Sequence, residues 1–223
     1  MAVNTEAYRQ IRQFLDERGV SLVAVSKTKP VEDILNLYEL GQRDFGENYV
    51  QELVEKEAQL PKDIRWHFIG HLQSNKVKYI APFVHLIHGI DSAKLLKEVN
   101  KQGMRYNRVI DVLLQVHIAQ EETKFGLDDA ELQQLLQSFQ GEPFPNLQIK
   151  GLMGMASFTD NKAQVQQEFE SLKKLFETHQ NTSYSFSVLS MGMSGDYELA
   201  VAAGSTMVRI GSLLFGTRQY AGS

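Results

Sequence analysis

The stretch Leu22-Val23-Ala24-Val25-Ser26, running on into Lys27-Thr28-Lys29-Pro30, decides the fold class. A continuous apolar run, rather than an alternating one, is what a strand shows when helices cover both faces of a parallel sheet. Val109-Ile110 with Val112-Leu113-Leu114 has the same character. The residues after the first run then separate the two common parallel architectures. A doubly wound sheet wants a glycine-rich turn after its first strand, and Ser26 to Pro30 contains no glycine.

Outward from that run, short apolar segments alternate with helical patterns. Candidate strands are Leu22-Ser26, Asp44-Gly46, Trp66-Ile69, Leu86-His88, Val109-His117, Ile149-Ala156, Ser187-Ser190 and Thr206-Ile210. Candidate helices are Val31-Leu40, Tyr49-Gln59, Asn75-Ala81, Ala93-Gln102, Asp129-Phe139, Lys162-Thr178 and Tyr197-Ala203. Eight strands, most followed by a helix, predict an α/β fold, a single (β/α)8 TIM-type barrel. Ala7 to Arg18, with Tyr8, Ile11, Phe14 and Leu15 at helical spacing, adds a helix before the first strand. Leu213-Phe215 reads as a short segment that closes the barrel. No linker, low-complexity stretch or repeat interrupts the pattern, so residues 1–223 are expected to form one domain.

Composition narrows the function classes. A net charge of -4 argues against a general nucleic-acid surface, which carries a basic bias. Zero cysteines exclude disulfides, thiolate metal sites and a cysteine nucleophile. No stretch approaches the ~20 apolar residues of a membrane span, and the polar start MAVNTEAYRQ lacks a signal-peptide core. The expectation is a cytoplasmic protein.

In a barrel, function gathers at the C-terminal ends of the strands, with phosphate sites after strands seven and eight. Lys27 ends the first strand, where desolvation lowers an amine's pKa and makes it a nucleophile. Taken by itself, Lys27 reads first as a lysine that has reached solvent where the strand ends. After the seventh strand comes Met191-Gly192-Met193-Ser194-Gly195-Asp196, with Ser194 as candidate N-cap and free backbone N–H groups beside it as an anion site. After the eighth comes Arg209-Ile210-Gly211-Ser212. Gly211 lets backbone approach a ligand, Ser212 donates a hydroxyl, and Arg209 points into the mouth or binds loop carbonyls. First and last strands are neighbours once a barrel closes. An amine, a phosphate cradle and a cation at one rim suit a ligand carrying both a phosphate and an aldehyde, as pyridoxal 5′-phosphate does.

Val-Ser-Lys27-Thr-Lys-Pro, Phe45-Gly-Glu-Asn48-Tyr-Val-Gln-Glu, Trp66-His-Phe-Ile-Gly70-His-Leu-Gln, Met191-Gly-Met-Ser194-Gly-Asp and Arg209-Ile-Gly-Ser212 resemble, in this order, the pyridoxal-phosphate homeostasis protein family (YggS/PROSC-type). The resemblance spans nearly the whole chain. It implies a barrel like the N-terminal domain of alanine racemase, holding pyridoxal phosphate as a lysine aldimine. The family's pattern places the lysine at Lys27, its phosphate and ring contacts at Ser194, Gly195, Arg209, Gly211 and Ser212, and a residue near the cofactor at Asn48. Physical reasoning also prefers Lys27 to Lys29, because Lys29 precedes Pro30 and is turned toward the next helix, whereas Lys27 continues the strand.

An always-cationic Arg209 facing the pyridine nitrogen would leave that nitrogen unprotonated and weaken the ring as an electron sink. Alanine racemase also uses an arginine there, but racemisation needs a second acid/base, which those enzymes draw from a further C-terminal domain. This chain ends soon after Ser212. The expectation is a non-catalytic, monomeric carrier or buffer that passes the cofactor transiently to apo-enzymes. The alternatives are a small amino-acid racemase and an aldolase-type barrel using Lys27 as its amine. No metal is expected. His67 and His71 do not converge on a strand, no His-Glu-x-x-His helix occurs, and the other histidines are scattered, with His67 bonded at the rim. Glu121 to Gly126 is expected as a solvated surface loop over the mouth, with a second reading as a lid or contact surface from which Lys124 could reach the phosphate. Met153, Met155, Met191 and Met193 read as adaptable packing.

Overall fold

Eight parallel strands close on themselves in the computed structural model, which describes residues 3–121, 125–139, 144–180 and 186–216. They are β1 (Ser21–Val25), β2 (Asp44–Glu47), β3 (Arg65–Phe68), β4 (Leu86–Ile90), β5 (Ile110–Gln115), β6 (Leu147–Met153), β7 (Val188–Ser190) and β8 (Met207–Ile210). Neighbours in sequence are neighbours in the barrel. Closure comes from β1 on β8, in register from Ser21 opposite Met207 to Ala24 opposite Ile210. The β7–β8 seam is much shorter, with Ser190 opposite Met207 as its one ladder pair.

Helices follow the strands. After α1 (Thr5–Asp16) come α2 (Val31–Glu39), α3 (Val50–Gln59), α4 (Val77–Ile80), α5 (Ala93–Arg105), α6 (Asp129–Phe139), α7 (Lys162–Gln180), α8 (Tyr197–Ala202) and α9 (Ser212–Phe215). Helix α1 begins two residues earlier than its apolar spacing suggests, because the Asn4 side chain accepts from the N–H of Ala7 at 3.0 Å. The helix expected over 75–81 is split into a 3₁₀ turn, Ser74–Lys76, and α4. Leu213-Phe215 belongs to a helix, since β1 already closes the barrel on β8. That last helix is latched to α1 by the Asn4 N–H, which donates to the Leu214 carbonyl at 2.8 Å.

Alternation along each strand divides the side chains between two environments. Outward residues, including Leu22, Ala24, Phe45, Trp66, Ile87, Leu114, Leu189 and Ile210, join the helices in one continuous apolar core. Each fully buried leucine in it contributes on the order of 2 kcal/mol relative to exposure. Inward, Val23, Leu86, Leu113, Met153 and Met207 form a separate, smaller cluster. The rest of the interior is polar, and the functional site is built over it.

Candidate functional site

Strand β1 ends at Val25, so Lys27 sits in a turn beyond the strand rather than continuing it. Its neighbours pin that turn. Ser26, fully buried, donates its hydroxyl to Glu47 Oε1 at 2.6 Å. The ammonium of Lys56, on α3, donates to the Ser26 carbonyl (2.8 Å), to Glu47 Oε1 (2.7 Å) and to Glu52 Oε1 (2.7 Å). These three contacts match an ammonium's three donors. Glu52 also accepts the Thr28 N–H at 2.6 Å, which holds Thr28 at a φ of 62°, a strained value for a β-branched residue. Backbone on both sides of Lys27 is therefore fixed, and the half-buried lysine is carried at the rim. Burial pushes the Glu47 carboxyl above its ordinary range despite the Lys56 contact.

Lys29 turns the other way. Its ammonium donates to the carbonyls of Phe215 (2.8 Å) and Gly216 (3.3 Å), so it ties the turn to α9. This engagement separates the roles of the two lysines more firmly than the proline after Lys29 does.

The loops after β7 and β8 meet across the mouth. The Gly211 N–H donates to Ser194 Oγ at 3.2 Å. A Cβ on Gly211 would stand 3.3 Å from Val25 Cβ, so this backbone packs directly on the strand that leads to Lys27. Gly192, at a φ of 98°, turns the chain out of β7, and a Cβ there would come within 2.6 Å of Ala200 Cβ. Ser194 is not the N-cap of α8. Asp196 holds that position, and its Oδ1 instead accepts the Met193 N–H at 2.6 Å. With its side chain released from capping, Ser194 serves the β7–β8 junction. Gly195 and Ser212 are exposed beside it, Gly195 with open space around its Cα. Asn48 follows β2, and its Oδ1 is buried without a hydrogen-bond partner among the described residues. Four consecutive strands of the closed sheet, β7-β8-β1-β2, thus carry every residue expected at the site. Lys124 lies outside the described residues. The loop beside it returns at Phe125, whose exposed ring stacks on His71 at 4.5 Å.

Arg209 is 4% exposed and lies inside the barrel below this rim. It donates to the Ser190 carbonyl (2.9 Å), to Ser190 Oγ (2.6 Å) and to the Gly154 carbonyl (3.0 Å). Burial lowers its pKa to about 10, which leaves it cationic at neutral pH. Arg209 is thus bonded to carbonyls from within the barrel, below the mouth.

Two of the histidines expected to be scattered, His85 and His88, lie together with His67. His67 is buried in the interior rather than bonded at the rim, and its ring meets those of His85 and His88 at 5.4 and 5.2 Å. Asp44, His67 and His85 bring one donor atom each within 4.8 Å. Arg65, however, donates twice onto the Asp44 carboxylate, and His67 Nε2 lies 3.0 Å from Asp44 Oδ1, so the cluster is an ion-paired network whose charge is already balanced. Sequence reasoning missed Asp44, His67, His88, Ser190, Glu47 and Lys56 as supports of the site. The available signal was a polar residue inside an apolar run, as in Leu-Ile-His88-Gly-Ile and Val-Leu-Ser190-Met.

This architecture has close relatives. Residues 5–219 match the family described as alanine racemase, N-terminal domain. The pyridoxal phosphate homeostasis protein of Pasteurella multocida is 43% identical over 209 residues, covering 92% of this chain and 89% of that one. PipY of Synechococcus elongatus, solved with PLP bound, superposes with a TM-score of 0.86 at 36% identity, over 95% of this chain and 99% of that one. Alanine racemase from Streptomyces coelicolor, at 17% identity and a TM-score of 0.75 over 96% of this chain and 58% of its own, shares the fold. The chain belongs to the alanine racemase N-terminal domain family and, within it, to the pyridoxal phosphate homeostasis proteins.

Proposed function

We propose that this protein binds pyridoxal 5′-phosphate reversibly at the β7-β8-β1-β2 rim and acts in cofactor homeostasis as a carrier or buffer, without catalytic turnover. The observation that carries this is the position of Gly211, bonded to Ser194 on one side and packed against Val25 on the other. It brings two phosphate-suited loops beside the strand that presents Lys27. The cofactor supplies an aldehyde, which condenses with a primary amine with loss of one water and leaves by the reverse reaction or by exchange to another amine. Lys27 offers that amine. Ser194, Gly195, Gly211 and Ser212 hold the phosphate with hydroxyl and backbone N–H groups. The orphaned Asn48 Oδ1 fits a site completed by a polar ligand, because such an atom is costly to leave unpaired.

A cation at Arg209 argues against demanding carbanion chemistry, though not against racemisation, since alanine racemase also uses an arginine there. A guanidinium facing the ring nitrogen keeps that nitrogen unprotonated and the ring a poor electron sink. The homeostasis names of the relatives favour binding over turnover. We further propose a monomeric, single-domain cytoplasmic protein that hands the cofactor to apo-enzymes by amine exchange. Among the described residues no helix is long and apolar enough to cross a membrane.

The test is a visible absorption spectrum after adding the cofactor, followed by borohydride reduction and peptide mapping. A yellow protein whose label maps to Lys27, with the label lost in Lys27→Ala, supports the proposal. A colourless, unlabelled protein overturns it. Solvent deuterium entering the α-carbon of amino acids at a catalytic rate would replace the carrier with an enzyme.

A further inference from the structure

Below the rim, polar side chains from five strands form one unbroken hydrogen-bonded file. Arg209 on β8 donates to Ser190 Oγ on β7. Ser190 Oγ lies 3.1 Å from His88 Nδ1 on β4, and His88 Nε2 lies 2.9 Å from His67 Nδ1 on β3. His67 Nε2 reaches Asp44 Oδ1 on β2 at 3.0 Å. Arg65, about half exposed, closes the far end by donating to Asp44.

The sense of the bonds is fixed at the two ends of this file, and between them two arrangements of hydrogens are open. Guanidinium can only donate, and carboxylate can only accept. Burial drives His88 well below its ordinary pKa, so that ring is neutral and carries one hydrogen. Suppose that hydrogen is on Nδ1. His67 must then donate from Nδ1 to His88 and also from Nε2 to Asp44, which makes it an imidazolium. Ser190 would receive two donors and have to send its own hydrogen elsewhere. With the His88 hydrogen on Nε2, every contact is satisfied by neutral rings. Ser190 donates to His88 Nδ1, His88 Nε2 donates to His67 Nδ1, and His67 Nε2 donates to Asp44. All hydrogens then point from Arg209 toward Asp44.

We propose that Ser190, His88 and His67 form an oriented relay that positions the Arg209 guanidinium for the cofactor ring, with the relay's direction set by Asp44 at the opposite end of the barrel. The relay fixes Ser190 as an acceptor toward Arg209, because its hydroxyl hydrogen is committed to His88. Released from His88, the hydroxyl loses the contact that fixes its rotation, and Ser190 Oγ no longer holds Arg209 in a single position. This role rests on the proposed binding of pyridoxal phosphate, whereas the hydrogen placement does not.

Two measurements separate these layers. In the cofactor-free protein labelled with ¹⁵N-histidine, His67 and His88 should both show a protonated Nε2 and an unprotonated Nδ1 at neutral pH. A proton on Nδ1 of either ring overturns the relay. In the cofactor-loaded protein, His88→Leu should weaken binding about tenfold, equivalent to about 1.4 kcal/mol, and shift the absorption maximum. His88→Gln, whose amide offers both a donor and an acceptor, should restore both to within about threefold of wild type. Ser190→Ala, a small change that removes no bulk from the core, should repeat the His88→Leu shift. Wild-type affinity and spectrum in Ser190→Ala and His88→Leu overturn the positioning role. If wild-type protein forms no Lys27 adduct, the cofactor proposal fails, and the ¹⁵N result still decides the hydrogen placement.

Discussion

The polar cluster behind Lys27 and the polar file behind Arg209 are both buried, but they lie on opposite sides of the barrel wall. Glu47 shares the outward face of β2 with Phe45 and meets Lys56 on α3, whereas Asp44, His67, His88, Ser190 and Arg209 all face inward. The outer cluster is compact and closed, with one ammonium saturated by three oxygens and two carboxylates competing for it. It immobilises backbone. The inner file is extended and directional, running from a buried cation below the rim to an anion at the far end. It orients a side chain. A site that needs one group placed by its backbone and another by its tip has been given a different buried device for each.

Breaking the outer device should have the largest effect on stability. Lys56→Met leaves Glu47 and Glu52 without their ammonium, and loss of one partner of a buried pair costs about 3–5 kcal/mol. Chemical denaturation should show this loss, together with slower labelling of Lys27 in the molecules that remain folded. Unchanged stability would mean that the cluster does not hold the turn.

The two devices should also answer to pH with opposite sign. Burial raises the Glu47 pKa, so the folded state binds that proton more tightly than the unfolded chain does. Its contribution is complete below the ordinary value of 4.5 and fades as pH rises toward the raised one. Burial works the same way on Asp44, but hydrogen bonds from His67 and Arg65 outweigh it and hold the carboxyl down. Its contribution is complete above 3.8 and fades as pH falls. Glu47→Gln should therefore flatten the stability profile on the side above 4.5, and Asp44→Asn on the side below 3.8. Identical profiles for the two variants would show that the devices are not electrostatically distinct.

The smallest effect sharpens the choice of lysine. Lys29→Ala removes two charge-assisted bonds to α9 carbonyls and should cost about 1–2 kcal/mol, while leaving the borohydride label on Lys27. Loss of the label in that variant would move the attachment point.

How much of this could be read in the sequence depends on the range of the interactions. The eight strands and most rim residues lay in local pattern: apolar runs, and Lys27, Ser194 or Gly211 at or past their ends, whereas Asn48 came only with the family resemblance. Strand ends shifted by a few residues because ladder bonding outranks local composition, and the bulge at Lys150 on β6, opposite Val112 and Leu113, left no local signal. The relay was illegible for a different reason. His67 and His88 are 21 residues apart, and His88 and Ser190 are 102 apart, so only closure of the barrel brings them together. Ser194 was misread as a helix cap because the N-cap position falls two residues later, at Asp196, whose carboxylate turns back to the Met193 N–H instead of capping.

The short seam between β7 and β8 gives Arg209 a mechanical part in the molecule. Ser190 opposite Met207 is the one ladder pair there, and the Ser205 hydroxyl supplements it by donating among the carbonyls of Leu189, Met191 and Met207. Arg209 stitches this seam from within, from its own strand β8 to Ser190 on β7 and on to Gly154 just after β6. This joint, bridged by backbone bonds from Thr206 to Leu189, Met191 to Met207 and Arg209 to Gly192 and reinforced by these side chains, lies directly beneath the loops that would grip a phosphate. A ligand bridging Ser194 and Gly211 would fasten the same joint from outside, so filling the mouth and tightening the wall become one event.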